Sequence, residues 1–388
     1  RGIKITAEIK SALEKILQKG GSVEEAIKTA PQEKMLETIV TFVLLMRGTD
    51  LHIEPTGNEV LVRYRIDGIL QDIAKIPKVS HLPLIGEIKI LGGMKTKVHA
   101  GVQEGRFNID FAGRNMDTRL SIIVGGYGET AVIRILGISG EVAELELSRM
   151  GIRPEIYPLL EMEIRKPTGI ILNTGPTGSG KTTTLYAILT KLNVRGMKIM
   201  TIEDPIEYRL AGILQTQVNE AENYTFAKAL RSFLRQNPNI IMLGEIRDEE
   251  TAKTAIQAAL TGHLVLSTLH TNDAAGAVQR LTNLGINSGD IASAFNAFLA
   301  QRLVRKLCQK CKEAYRPDEN ILKLIEAQLA NIPASIKKPD FKKFYKPIGC
   351  AECNNLGYRG QLGLFEILIK NEKIQELVSK NASTLEIK

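Results

Sequence analysis

The sequence predicts an α/β protein: a parallel sheet with helices on its faces, preceded by a smaller α+β domain and followed by a cysteine-based metal module. Three observations carry this reading. The stretch Gly175-Pro176-Thr177-Gly178-Ser179-Gly180-Lys181-Thr182 fits the pattern G-x-x-x-x-G-K-[ST] and lies between an apolar run and a helical one. Beyond Pro154, strands and helices alternate through to about Arg305. All four cysteines fall in two C-x-x-C pairs.

A chain of 388 residues has room for two or three domains. Its 44% hydrophobic and 24% charged residues are ordinary for a globular protein. The longest apolar candidate, Ile39 to Met46, is far too short to span a membrane, and no secretory signal pattern stands at the start. The net charge of +8 is concentrated: Gln301 to Lys388 carries 17 basic and 10 acidic side chains, a net of +7. Such a segment can meet nucleic acid, anionic lipid or an acidic protein, or can simply be a solvated face. No interleaved aromatic and basic signature accompanies it, so no direct nucleic-acid contact is expected.

In chain order, Ile5, Ile9, Leu13, Ile16 and Leu17 recur at helical spacing until Gly20-Gly21. Ser22 and Glu25 form a capping-box pattern for a second helix that Pro31 ends, and a third is expected from Glu33 to Met46. Residues 1–47 thus read as a helical lead-in, the remainder of an N-terminal domain. From Asp50 the period becomes two. Glu59 to Ile66 alternates and meets the turn pair Asp67-Gly68; Arg106 to Phe111, Met116 to Ile123 and Thr130 to Leu136 read as further strands. Leu82 to Met94 reads as a helix between them. Residues 48–148 therefore form the α+β domain, with a boundary at Leu147 to Pro154.

The next domain, 149–305, reads as a doubly wound or RecA-like parallel sheet. Its strands are Gly169 to Asn173, Lys198 to Ile202, Ile240 to Leu243 and Leu264 to Thr268; its helices include Phe226 to Gln236 and Glu249 to Leu260. Glycines at 175, 178 and 180 let successive backbone N–H groups turn inward around phosphate oxygens, and the following helix adds its positive end. Lys181 is expected to reach the β- and γ-phosphates of a nucleotide, Thr182 to ligate Mg²⁺, and Thr183 to join the nucleotide-binding set. Glu203, Asp204 and Glu207 follow one strand and suit metal-water coordination and activation of an attacking water. Gly244-Glu245 follow another, which makes Glu245 the Mg²⁺-side acid. His263 and His270 bracket a third strand and are candidates for sensing the γ-phosphate.

Cys308/Cys311 and Cys350/Cys353 are separated by 38 residues. Using every cysteine in such pairs favours a tetrahedral Cys₄ zinc site of structural kind. Two disulfides are the alternative, which a reducing cytosol disfavours. Residues 306–365 are assigned to this module and 366–388 to a C-terminal helical segment.

The ordered motifs resemble the secretion ATPases of the type II secretion and type IV pilus assembly superfamily, the GspE/PilB group. The matching stretches are Thr49-Asp50-Leu51-His52-Ile53-Glu54-Pro55, the phosphate loop, Thr201 to Tyr208, Leu230 to Pro238 leading into Gly244 to Asp248, and Thr261-Gly262-His263 through Asp273. The resemblance implies a homohexamer of subunits, each with a PAS-like domain joined by a flexible linker to the RecA-like domain. It implies Glu207 as catalytic glutamate, Glu245 as Walker B acid and His270 as the His-box residue. It also implies arginines lent by the small domain: Arg63 first, with Arg65, Arg106 and Arg119 as further candidates. Further implied are the zinc module, a cytoplasmic motor driving pilin or pseudopilin assembly, contacts with an inner-membrane platform protein and a cytoplasmic-membrane docking protein, and last helices beyond Lys388. Its strand entry Gly128 to Arg134 departs from the group's pattern without touching a catalytic residue. A nucleic-acid motor and a non-hydrolysing nucleotide switch are the competing functions; the retained Lys181, Glu207 and Glu245 argue against the switch.

Overall fold

Alternation of buried and exposed side chains builds the first sheet. Along Glu59–Ile66, Val60, Val62, Tyr64 and Ile66 turn inward, while Arg63 and Arg65 turn the other way. The structure, a computed structural model, describes residues 2–137, 146–330 and 344–388. At the boundary expected from Leu147 to Pro154, Leu147–Arg149 forms a single 3-10 turn. Two units divide the chain: Arg1–Ile138 with Arg305–Gln361, and Ser139–Val304 with Leu362–Lys388.

The sheet of the first unit has eight strands. In spatial order they are Gly2–Ile5, Asn108–Phe111, Arg114–Gly125, Gly128–Ile135, Gly48–Pro55, Glu59–Ile66 and Ile69–Pro77, with Val102–Gly105 pairing Arg114–Gly125. Asp67 and Gly68, both at positive φ (47° and 84°), make the tight turn between two of them. The lead-in helices Ala7–Gln18, Val23–Thr29 and Gln32–Leu45 share this unit's core. Ser22 accepts the Glu25 N–H at 3.1 Å, as the capping pattern predicts. Met35, Leu36, Ile39, Val40 and Val43 cover the sheet, and the Tyr64 hydroxyl donates to Ile39 O at 2.8 Å. The start of the chain differs from expectation: Gly2–Ile5 is a strand parallel to Asn108–Phe111, because Ile3 and Ile5 fill the sheet's core face. The helix expected over Leu82 to Met94 runs His81–Leu91.

The sheet of the second unit has seven strands, ordered Leu214–Gln217, Ile199–Glu203, Ile240–Leu243, Leu264–Leu269, Gly169–Thr174, Phe295–Leu307 and Tyr358–Ile369. The pairings from the first through Phe295–Leu307 are all parallel. The strands Gly169–Thr174, Ile199–Glu203, Ile240–Leu243 and Leu264–Leu269 are buried along their whole length, as strands covered on both faces must be. Ile170 and Leu172 join one core with helices Phe226–Leu234, Glu249–Leu260 and Ser288–Ala294; Ile171 joins a second with helices Tyr157–Ile164 and Lys181–Leu192. From Leu362 on, the strand Tyr358–Ile369 belongs to this unit, as does the helix Glu372–Ser379, whose Val378 is buried. No helix among the described residues is long and apolar enough to cross a membrane.

A buried ion pair braces the first unit: Lys89 Nζ lies 2.5 Å from Glu129, with both side chains at most 6% exposed, and His99 Nδ1 lies 2.8 Å from the same carboxylate. Burial pushes the Glu129 carboxyl up, but Lys89 and His99 outweigh it and hold its pKa below the ordinary 4.5. Its contribution is therefore present above that value and is lost as pH falls below it. Lys89→Met should cost about 3–5 kcal/mol in chemical denaturation, because it strands a buried charge, and Lys89→Met with Glu129→Leu should recover most of the loss.

Candidate active site and a four-cysteine centre

Parallel pairing brings the carboxyl ends of the second unit's strands to one edge. Gly169–Thr174 ends at Gly175, Ile199–Glu203 at Asp204, Ile240–Leu243 at Gly244-Glu245, and Leu264–Leu269 at His270. Backbone links stitch these ends in sequence along the edge. Gly244 N donates to Ile202 O at 2.8 Å, Ile246 N to Thr268 O at 3.0 Å, and Thr271 N to the Thr174 hydroxyl at 2.7 Å.

The loop Gly175–Gly180 needs its glycines. Gly175, Gly178 and Gly180 have φ of 147°, 77° and 85°. A Cβ at Gly175 would meet Gln301 O at 2.5 Å and Ser179 Oγ at 2.7 Å, and one at Gly180 would meet Gln301 Nε2 at 2.8 Å. Pro176, Thr177 and Gly178 are exposed at the loop's crest. Lys181 begins the helix Lys181–Leu192, followed by the half-buried Thr182 and Thr183. Its ammonium donates to Gly175 O at 2.8 Å and Pro176 O at 3.1 Å, and burial holds its pKa below the usual lysine value against the attraction of Glu245. The Ser179 hydroxyl is 3% exposed and lacks a partner. A glycine-built loop at a helix start, a cation and an unpaired buried hydroxyl fit a nucleotide's phosphates.

Glu245 lies 3.4 Å from His270 Nε2 and pairs with Arg247. It is within electrostatic reach of Lys181, so the acid, the histidine and the lysine form one cluster. An oxygen-donor acid and the Thr182 hydroxyl suit Mg²⁺, a hard cation. Glu207 follows Ile199–Glu203; its charge is felt by Glu203 and Tyr208, and its backbone N–H faces the Tyr186 hydroxyl at 3.4 Å.

Two expected members sit elsewhere. Glu203 is 2% exposed, and its oxygens accept from Tyr186, from Thr201 Oγ1 at 2.5 Å and from Gln215 Nε2 at 3.2 Å. Burial raises its pKa, and it faces inward while the exposed Asp204 faces out. The proposed γ-phosphate role of His263 needs correction: it precedes Leu264–Leu269, on the opposite edge from the phosphate loop, and its Nδ1 lies 3.0 Å from Ala258 O. Bracketing a strand separates two side chains by the strand's length, here roughly 20 Å at about 3.3 Å per residue.

Sequence reasoning missed Gln301 and Arg302. Gln301 Oε1 accepts from Asn173 at 2.7 Å and Thr184 at 2.8 Å, backing the loop. Arg302 donates to Asn272 O at 2.9 Å, and its charge is felt by Lys181 and Asp273. Both sit on Phe295–Leu307, whose pairing with Gly169–Thr174 no local pattern announces.

The candidate arginines belong to the first unit. Arg63 pairs with Glu54 and Asp72, each at 3.1 Å, and Arg65 pairs with Asp50 at 3.3 Å. Arg119 lies opposite Arg134 in the strand register, and Arg106 is exposed between two strands.

Also in the first unit, Cys308, Cys311, Cys350 and Cys353 place their sulfurs within 4.8 Å of one another. Measured separations are 3.9 Å for Cys308–Cys350, 3.7 Å for Cys311–Cys353 and 3.8 Å for Cys350–Cys353. Sulfurs at about 2.3 Å from a central ion make a tetrahedron with edges of about 3.8 Å. Backbone N–H groups of Cys350 and Gly357 each donate to Cys353 Sγ at 3.2 Å. Burial pushes that thiol up, but these donors outweigh it and bring it to about 7.

Comparison with known proteins identifies the family. The family model for "Type II/IV secretion system protein" matches residues 25–388. The Type II secretion system protein E of Pseudomonas aeruginosa is 41% identical over 92% of this chain and 69% of its own length. The Type IV pilus assembly ATPase PilB of Thermus thermophilus is 41% identical over 92% of this chain, which spans 39% of that longer protein. Among solved structures, the Legionella pneumophila ATPase DotB shares the fold at a TM-score of 0.65 and 20% identity, over 92% of this chain and 86% of its own. A chain so matched belongs with them: it is a member of the Type II/IV secretion system protein family, an ATPase of the secretion and pilus group.

Proposed function

We propose that this ATPase is a Mg²⁺-dependent motor that drives assembly of a pilus or pseudopilus. The observation that carries the chemistry is the cluster of Lys181, Glu245 and His270 at the carboxyl edge of the parallel sheet. Lys181 transfers its donors from the loop carbonyls to phosphate oxygens, and the loop's N–H groups share that charge. Glu245 and the Thr182 hydroxyl hold Mg²⁺, which neutralises phosphate charge when bound. Glu207 is the general base for the attacking water, and His270, poised beside Glu245, reports on the terminal phosphate. Arg63 can serve phosphate only after leaving Glu54 and Asp72, which makes it a conditional cation rather than a standing one.

The working unit in this reading is a cytoplasmic homohexamer joined to an inner-membrane platform protein and a docking protein of a secretion or pilus machine. The relatives' names support the secretion or pilus machine in that reading. The Cys₄ centre holds structural Zn²⁺, since four soft sulfurs at tetrahedral spacing suit it and leave no open position.

Glu207→Gln should lower ATP turnover about 10²–10⁴-fold in a phosphate-release assay while leaving nucleotide affinity within about threefold. Wild-type turnover by that variant would sink the assignment. Elemental analysis should find about one zinc per chain, and chelation should lower the thermal transition of the first unit. A metal-free chain whose thiols become reactive only after reduction would instead indicate disulfides.

A further inference from the structure

Beneath the loop that carries Glu207 lies a closed polar network. Tyr186 stands in the second turn of the helix that follows the phosphate loop and is fully buried. Its neighbours Leu185, Ile188 and Leu189 are apolar, and a phenylalanine would fill the same volume. The hydroxyl instead donates to the buried Glu203 carboxylate and stands 3.4 Å from the Glu207 N–H, placed as its acceptor. Gln215 Nε2 closes the ring, reaching Tyr186 Oη at 3.4 Å, Glu203 Oε1 at 3.2 Å and Tyr208 O at 3.2 Å. The Tyr208 ring meets that of Tyr186 edge-on, with centroids 4.6 Å apart. Burial and the adjacent Glu203 charge push the Tyr186 hydroxyl far above the ordinary phenol range, so it stays a neutral donor and acceptor.

A buried carboxylate and hydroxyl are costly to desolvate and are not needed to fill this space. What they add is a rigid link. One oxygen atom ties the phosphate-loop helix to the backbone at Glu207, and Glu203 fixes the direction of that oxygen's hydrogen, leaving its lone pairs to the Glu207 N–H and to Gln215 Nε2. We propose that Tyr186, oriented by Glu203, is a positioning residue that sets the Glu207 carboxylate for hydrolysis and ties it to the helix that Lys181 begins. The proposal rests on the reading of Glu207 as general base.

The test compares Tyr186→Phe, Thr201→Val, Glu207→Gln and the Tyr186→Phe/Glu207→Gln double variant in the full chain. The measurements are kcat and KM for ATP, affinity for a fluorescent ADP analogue, and thermal stability. Tyr186→Phe should lower kcat about tenfold, with KM and ADP affinity within about threefold. Thr201→Val removes another donor from Glu203 without touching the Glu207 N–H; it should lose stability yet keep kcat within about twofold. In the Glu207→Gln background, the Tyr186 change should alter the residual single-turnover rate by less than about twofold. A wild-type kcat in Tyr186→Phe, an equal kcat loss in Thr201→Val, or the same proportional loss in both backgrounds would overturn the proposal. Full turnover in Glu207→Gln would instead overturn the reading beneath it. Should Tyr186→Phe be insoluble, 3-fluorotyrosine at position 186 keeps the shape but weakens the acceptor; kcat should fall at least about twofold, and an unchanged kcat counts against the proposal.

Discussion

The parallel hydrogen-bond ladder is the constraint on which this site depends. Parallel strands all run one way, so every chain leaves the sheet at the same edge. The registers Ile202↔Leu243, Leu266↔Ile171 and Leu269↔Thr174 align those exits. Because both faces of the sheet are covered, polar chemistry is confined to the rim. The phosphate loop, Glu245 and His270 are neighbours for that reason, although they lie far apart in sequence.

Around that rim the polar groups are mostly satisfied. Thr174 bonds to the Thr271 hydroxyl and to Leu269 O, and Thr268 bonds to Gly244 O. Such bonds fix loops that would otherwise wander, since a buried hydroxyl without a partner is costly. The exceptions are informative. Ser179 is the unpaired hydroxyl at the loop, and Lys181 is a cation held among carbonyl dipoles in a partly desolvated place. A phosphate answers both.

The cysteine centre solves a different problem. Among its described residues, the segment around it buries few large apolar side chains: Cys308, Pro317, Cys353 and Gly357 are buried, while Tyr315, Tyr345 and Ile348 are exposed. A small module without much core needs a covalent or metal staple to hold its shape. Within the first unit, Asp67 of the turn Asp67-Gly68 accepts the Gly360 N–H at 2.8 Å, and its carbonyl accepts from Gln361 at 3.1 Å.

Local chemistry was legible in the sequence because it is written in short patterns. The glycines of the phosphate loop, the apolar run before it, the C-x-x-C pairs and the alternation through Glu59–Ile66 each state a backbone requirement within a dozen residues. Tertiary structure decided what depends on pairing between distant segments. It drew Gln301 and Arg302 to the loop, turned Glu203 inward while its neighbour Asp204 stayed out, put His263 on the far edge, and recruited Gly2–Ile5 and Tyr358–Ile369 as strands. Proximity in sequence says which element a side chain rides on; which end and face of that element meets the site is set by strand order and burial, and neither is a local property.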